Sequence, residues 1–213
     1  MRGGIVPGAG AVSEAAAKSI MKEDILEQLV DDYLKFNGFF TIHNVKFQPA
    51  KTDPDYLTAE DCVPSDIDVV GFNPMRVGTD RVWVVGCKSW QIGFDPKDRI
   101  RAIETDGTRE GRKAWRSFRE LAKPKWARAL VAEIERLTGS KEFLYVTAVT
   151  KLNGSKAVWE ENERFRERLQ GNPIKILTLQ EILSDLYSKT KTAVASSEIG
   201  RLLQIIKASG WTP

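Results

Sequence analysis

The sequence predicts an α/β protein, a mixed central β-sheet of four to five strands flanked by helices. Three observations carry that expectation. Two neighbouring runs, Asp66 to Phe72 and Arg81 to Trp90, are dense in Val and aromatic residues and are joined by a turn through Asn73, Pro74 and Gly78, which reads as a β-hairpin. Downstream, two further short apolar runs alternate with helical patterns, as in β-α-β units. The chain has 213 residues, 42% hydrophobic and 29% charged, enough apolar material for one real core.

The elements follow in order. Residues 1–18, rich in Gly and Ala, read as a flexible leader. A helix is expected from Ile20 to Phe36, with Ile25, Leu26, Val30, Tyr33 and Leu34 on one face and Gly38 ending it. The segment Phe39 to Pro49 reads as an edge strand, and Ala50 to Ser65 as a polar loop. After the hairpin, a long charged helix is expected from Arg109 to Leu137, interrupted at Pro124. A strand at Phe143 to Val149, a helix at Ala157 to Leu169, a strand at Ile174 to Thr178 and a helix at Leu179 to Tyr187 complete the domain, 19–189. The remainder, 190–213, is a tail with one more helix at Ser197 to Ala208.

Composition excludes several classes. No apolar run approaches the roughly 18 residues that span a bilayer, so no membrane partner is expected. The start lacks a charged segment followed by an apolar one, which argues against a secretory signal. Two cysteines, Cys62 and Cys87, make no disulfide framework, and a single histidine excludes the usual zinc patterns. A reducing cytoplasm is the expected compartment. The net charge is only +3, but from Ser19 to Met75 there are 11 acidic against 4 basic residues, and from Lys97 to Arg128 there are 11 basic against 5 acidic. An acidic front beside a basic middle fits a metal- or proton-handling site next to a polyanion-binding face. Solvated helix faces of mixed sign would give the same count.

The hairpin carries the functional signal. Alternation along a strand places Asp66 and Asp68 on one face and Ile67 and Val69 on the other. On the second strand Gly86 and Lys88 share a face, with Cys87 opposite as a small core residue. Charged groups at the end of a buried strand must be paired, metal-bound or functional. A cross-strand Asp–Lys pair at the sheet's rim is the plain alternative.

The runs SDIDVVGF and VWVVGCKSW resemble the core of the PD-(D/E)XK nuclease superfamily, in particular its Mrr-like restriction endonuclease branch. The resemblance spans about Ile20 to Tyr187. It implies a restriction-endonuclease-like fold and hydrolysis of phosphodiester bonds in DNA with Mg²⁺ or Mn²⁺. Asp68 would be the central metal ligand, Lys88 would orient the attacking water or stabilise the phosphate, and Glu27, in ILEQLVDDYLKFNGFF, would be a further ligand from the preceding helix. Glu27 precedes Val30 by three and Leu34 by seven, on the core-facing side. The chain departs from the family at Gly86, two before Lys88, where the family has an acidic residue or Gln. Asp66, or the Gly86 carbonyl, could restore the missing oxygen.

Arg109, Arg112, Lys113, Arg116, Arg119 and Lys123 recur at three- and four-residue intervals, and on a helix they would form a cationic stripe that follows phosphates. His43 reads as a structural or surface residue, Trp83 as core, and Trp115 and Trp126 as packing residues, with stacking on bases the alternative. Three readings stand: a metal-dependent DNA nuclease, a catalytically inactive member of that fold that binds DNA or a protein, and an unrelated α/β protein with a salt-bridged hairpin. Double-strand cleavage by so small a domain would need two copies, a homodimer.

Overall fold

The computed structural model of the chain describes residues 25–109, 111–191 and 197–212. The expected leader and the first turn of the expected opening helix lie outside the described residues. In chain order the elements are helix α1 (Ile25–Phe36), strand β1 (Phe40–Phe47), one-turn helix α2 (Thr58–Asp61), strands β2 (Ser65–Phe72) and β3 (Val82–Lys88), and helix α3 (Pro96–Glu104). A small hairpin, β4 (Thr108–Arg109) and β5 (Arg112–Lys113), precedes helices α4 (Arg119–Ala122) and α5 (Pro124–Thr138). Strand β6 (Leu144–Val149), helices α6 (Ala157–Glu160) and α7 (Glu163–Arg168), strand β7 (Ile174–Thr178) and helices α8 (Leu179–Lys189) and α9 (Glu198–Ala208) follow.

The five-stranded sheet runs β1-β2-β3-β6-β7, antiparallel from β1 to β3 and parallel from β3 to β7. This is the expected mixed sheet, with β1 at an edge. Helices α1, α8 and α9 cover one face, where Leu26, Val30, Leu34, Ile182 and Leu203 pack on Val69, Trp83, Val85 and Val146. Helices α3 to α7 cover the other, where Leu121, Trp126, Leu130 and Trp159 pack on Val70, Val84, Tyr145 and Ile176. Helix α9 of the expected tail therefore joins the core. Leu203 of α9 is buried, and the Ser197 hydroxyl that caps α9 donates to Asp32 of α1 at 2.6 Å.

Three expectations need correction. The stretch from Arg109 to Leu137 is not one interrupted helix: Gly111, with a φ of 76°, turns the β4–β5 hairpin, a 3₁₀ turn spans Ala114–Ser117, and Pro124 opens α5, where its missing N–H does no harm. Helix α3, absent from the expected elements, is announced by Asp95, whose side chain accepts the Asp98 N–H, and by Pro96 in the first turn. The expected helix from Ala157 to Leu169 divides at Asn162, which caps α7 by accepting the Phe165 N–H at 3.0 Å.

Alternation also fails at one point in β2. Ile67 and Val69 belong to cores on opposite faces of the sheet, although two residues apart. On β1 the same switch separates His43, paired to Asp31 of α1 at 3.1 Å, from Val45, buried on the other face. Asn44, between them, takes a left-handed φ of 53°, which Asn tolerates better than most side chains. Asn44 and Asp68 are the one opposed position in this stretch with no ladder pairing.

The polar segment ahead of β2 is fastened to α5 by a buried carboxylate. Asp61 receives Lys125 Nζ at 2.6 Å, Trp126 Nε1 at 2.9 Å and the Leu57 N–H at 2.8 Å. Burial works to raise its pKa, but these bonds from Lys125, Leu57 and Trp126 outweigh it and hold the carboxyl below the usual 3.8. A depressed folded pKa stabilises the fold above the unfolded value and is lost as pH falls through the folded one. Asp61→Asn should therefore destabilise the protein at pH 7 by about 3 kcal/mol, since the buried Lys125 loses its close partner and keeps only Glu60, at 3.8 Å. Urea unfolding at pH 7 and at pH 3 should show the gap to the parent shrinking at the acid end.

Candidate active site

Where β2 and β3 stop pairing, a cleft opens. Their ladder ends at Val69–Val85, while β3 continues along β6 to Lys88–Val149. The Asp68 carboxylate bridges the gap by accepting the Cys87 N–H. The cleft has a volume of about 240 Å³ and is lined by Asp66, Asp68, Gly86 and Lys88 from the hairpin, by Glu120 and Tyr145, and by Arg112, Arg116, Ser117 and Trp90 on its rim. The structure thus brings together the two residues that the sequence singled out, Asp68 and Lys88, with Asp66 exposed at the mouth.

Lys88 is half-buried, its ammonium 5.4 Å from the centre of the Phe118 ring. Among the described residues it has no carboxylate within 4.0 Å. The plain alternative of a closed Asp–Lys pair is therefore not what the hairpin forms. Cys87 turns its side chain to the opposite core, as expected.

Glu27 is not among the residues lining the cleft. It is half-buried on α1, and α1 packs on the sheet face away from Glu120 and Tyr145. Phase along a helix fixes which side faces the sheet and leaves open which face of the sheet receives it.

Glu120 is the residue that sequence reasoning missed. It lies within the basic segment, where it reads as one acidic residue among solvated charges, yet it is buried and accepts the Tyr145 hydroxyl hydrogen bond. Burial pushes its carboxyl pKa up, opposed by the Tyr145 bond and the charge of Lys88, and reinforced by the charge of Asp68. Tyr145 is pushed well above its usual 10.0 by burial and by Glu120. The one sequence signal is a tyrosine in a largely apolar strand, since a buried hydroxyl requires a partner.

The six cationic residues do not form a helical stripe. Arg109 is held by Asp98 at 2.6 and 3.0 Å, and Lys113 by Asp106 at 2.7 Å. Arg119 lies 4.6 Å over Trp126 and donates to the Val63 carbonyl at 2.8 Å, while Lys123 lies 5.0 Å over Trp115. Arg112 and Arg116 both line the cleft, Arg116 with its guanidinium 5.5 Å over Trp115. Trp90 has little ring surface to offer a base: Arg99 covers it at 4.0 Å, and it stacks with Phe94 at 6.0 Å.

Among the described residues no three of His, Cys, Asp and Glu come together as a metal-holding group. Mg²⁺ does not require one, because it commonly keeps several waters and is held by one or two carboxylates together with substrate phosphate oxygens. Asp68 and Glu120, which line the same cleft, fit that donor set.

No family description and no curated protein matches the chain. Among solved structures it is similar to a crystal structure described as a protein of unknown function, AF1548, at 16% identity and a TM-score of 0.36, over 88% of this chain and 79% of that one. Among the described residues no helix is long and apolar enough to cross a membrane.

Removing the Tyr145 hydroxyl isolates the buried carboxyl. Tyr145→Phe should cost about 1–3 kcal/mol, the penalty for a buried polar group left without its partner. Adding Glu120→Leu should recover much of that loss, since both polar partners are then gone. Urea midpoints of the two single variants and the double variant check the coupling.

Proposed function

We propose that the protein is a metal-dependent nuclease that hydrolyses phosphodiester bonds in DNA, with its centre at Asp68 and Lys88. The observation that carries the proposal is the Lys88 ammonium, with no carboxylate within 4.0 Å among the described residues, standing in a cleft that also holds Asp68 and is rimmed by Arg112 and Arg116. A phosphodiester is an anion, and this cleft offers it cations on the rim and, beneath them, carboxylates that attract only a cation.

The chain's own groups divide the work. Arg112 and Arg116 bind the backbone phosphate and set its position at the mouth. Lys88, held over Phe118, donates to the phosphate or orients the attacking water, and as a compact ammonium it stabilises charge that builds up on the phosphoryl oxygens. Asp68, fixed by the Cys87 N–H, would hold a divalent cation, and Asp66 would assist at the mouth. When bound, that cation supplies Lewis-acid polarisation of the phosphoryl oxygen and a more acidic water.

Glycine at position 86, which faces Lys88 and the Tyr145 hydroxyl and offers no side-chain oxygen, favours a second reading, a nuclease-like fold that binds DNA without cutting it. One assay separates the two. Supercoiled plasmid incubated with the protein should be nicked with Mn²⁺ and not with EDTA, and Lys88→Ala should lower the rate at least about a hundredfold, the scale of one positioned charge-stabilising donor. Binding without nicking in the parent would leave only the second reading.

Binding has its own signature. Arg112→Ala with Arg116→Ala should weaken DNA affinity alike across sequences and flatten the salt slope by up to about two units, one per lost phosphate contact. Arg109→Ala and Lys113→Ala should do much less, because Asp98 and Asp106 already occupy those side chains. Gel-shift titrations at several salt concentrations measure both.

A further inference from the structure

Glu120 is an unfavourable residue to bury. A Gln would fill the same space and accept the same Tyr145 hydrogen bond without the desolvation penalty of a carboxylate. Three features of its surroundings give the carboxyl a purpose. It shares a cleft with Asp68 and Lys88, yet no carboxylate stands within 4.0 Å of the ammonium to neutralise it. Its partner Tyr145 reaches it from β6, so its orientation is set by two elements of the core. The third feature is the space beside Gly86. A β-carbon at that position would stand 3.6 Å from the Tyr145 hydroxyl and 3.8 Å from Lys88 Nζ, both ordinary contacts. Position 86 therefore faces the spot where Tyr145 presents Glu120, and the glycine leaves it open.

We propose that Glu120, reaching in from α4, supplies the carboxylate that position 86 lacks, and that Glu120 and Asp68 together hold the divalent cation of the cleft. This rests on the hydrolase proposed above. Tyr145 is a positioning residue: its hydroxyl holds one carboxylate oxygen in place. Lys88 stays unneutralised, as a group meant for an anionic substrate must. The ligand is a hard divalent ion, Mg²⁺ or Mn²⁺, because all the donors are carboxylate oxygens.

The test reads metal binding directly, without activity. Mn²⁺ is titrated calorimetrically into the full chain, its Glu120→Gln and Asp68→Asn variants, and the double variant Glu120→Gln with Gly86→Glu. The parent should bind Mn²⁺, Glu120→Gln should weaken binding at least tenfold while unfolding normally in EDTA, and Gly86→Glu should restore part of the loss. Should Glu120→Gln fail to fold, Glu120→Asp, which withdraws the carboxylate by one methylene, should weaken binding in its place. Parental affinity in the Gln or Asp variant overturns the proposal. So does a loss that Gly86→Glu does not restore in any measure, since that makes Glu120 a support rather than a ligand. The failures are distinguishable. If Asp68→Asn loses Mn²⁺ and Glu120→Gln does not, only the role of Glu120 falls. A parent that binds no Mn²⁺ removes this proposal and the hydrolase together.

Discussion

The bond from the Cys87 N–H to the Asp68 carboxylate is the interaction on which the arrangement turns. At Val69–Val85 the β2–β3 ladder stops, yet β3 runs on beside β6 for three more residues. A strand left without a neighbour on one side carries amide groups that need partners. Asp68 supplies one from its side chain, which lets the two backbones part without stranding the Cys87 donor. The space between them becomes the cleft. The same position is where β1 and β2 exchange faces, with Asn44 absorbing the twist, so a local backbone irregularity and the candidate site share one origin.

Electrostatics then divides the cleft. Carboxylates at Asp66, Asp68 and Glu120 face cations at Lys88, Arg112 and Arg116, and the innermost of each sign, Glu120 and Lys88, are not tied to each other. Ion pairing elsewhere in the molecule is far more complete. Asp98, Asp106 and Asp61 occupy Arg109, Lys113 and Lys125. Holding a charge inside a fold without an ion partner is unfavourable, and among the described residues Lys88 and Glu120, both lining this cleft, have no opposite charge within 4.0 Å.

The parts of this structure legible in the sequence are those encoded by neighbours. Strands β2, β3, β6 and β7 are short runs of β-branched and aromatic residues, and β7 begins and ends where its composition changes. Asp68 and Lys88 stand out because a charge at the end of an apolar run is conspicuous. What escapes such a reading depends on distance in space. The three- and four-residue spacing of the arginines mimics a helix, but Gly111 breaks it, and nothing local reveals that Asp98 and Asp106 occupy two of the charges. Glu120 sits in a four-residue helix too short for any periodicity to show, and its partner lies on a strand 25 positions away. Glu27 illustrates the same limit from the other side: its helical phase can be read from the sequence, and the face of the sheet that its helix covers cannot.

The mixed sheet sets unequal terms for its central strand. β3 meets β2 through a short turn, whereas it meets β6 only after the chain has wound α3, α4 and α5 across the sheet. Closing the longer segment costs more chain entropy, and the parallel pairing offsets it only once formed. Asp68 and Lys88 belong to the short-range contact, Glu120 and Tyr145 to the long-range one. The two halves of the cleft are thus separable in time: a chain that has made its hairpin but not its crossover displays both charges of the first half to open water, with no chamber around them.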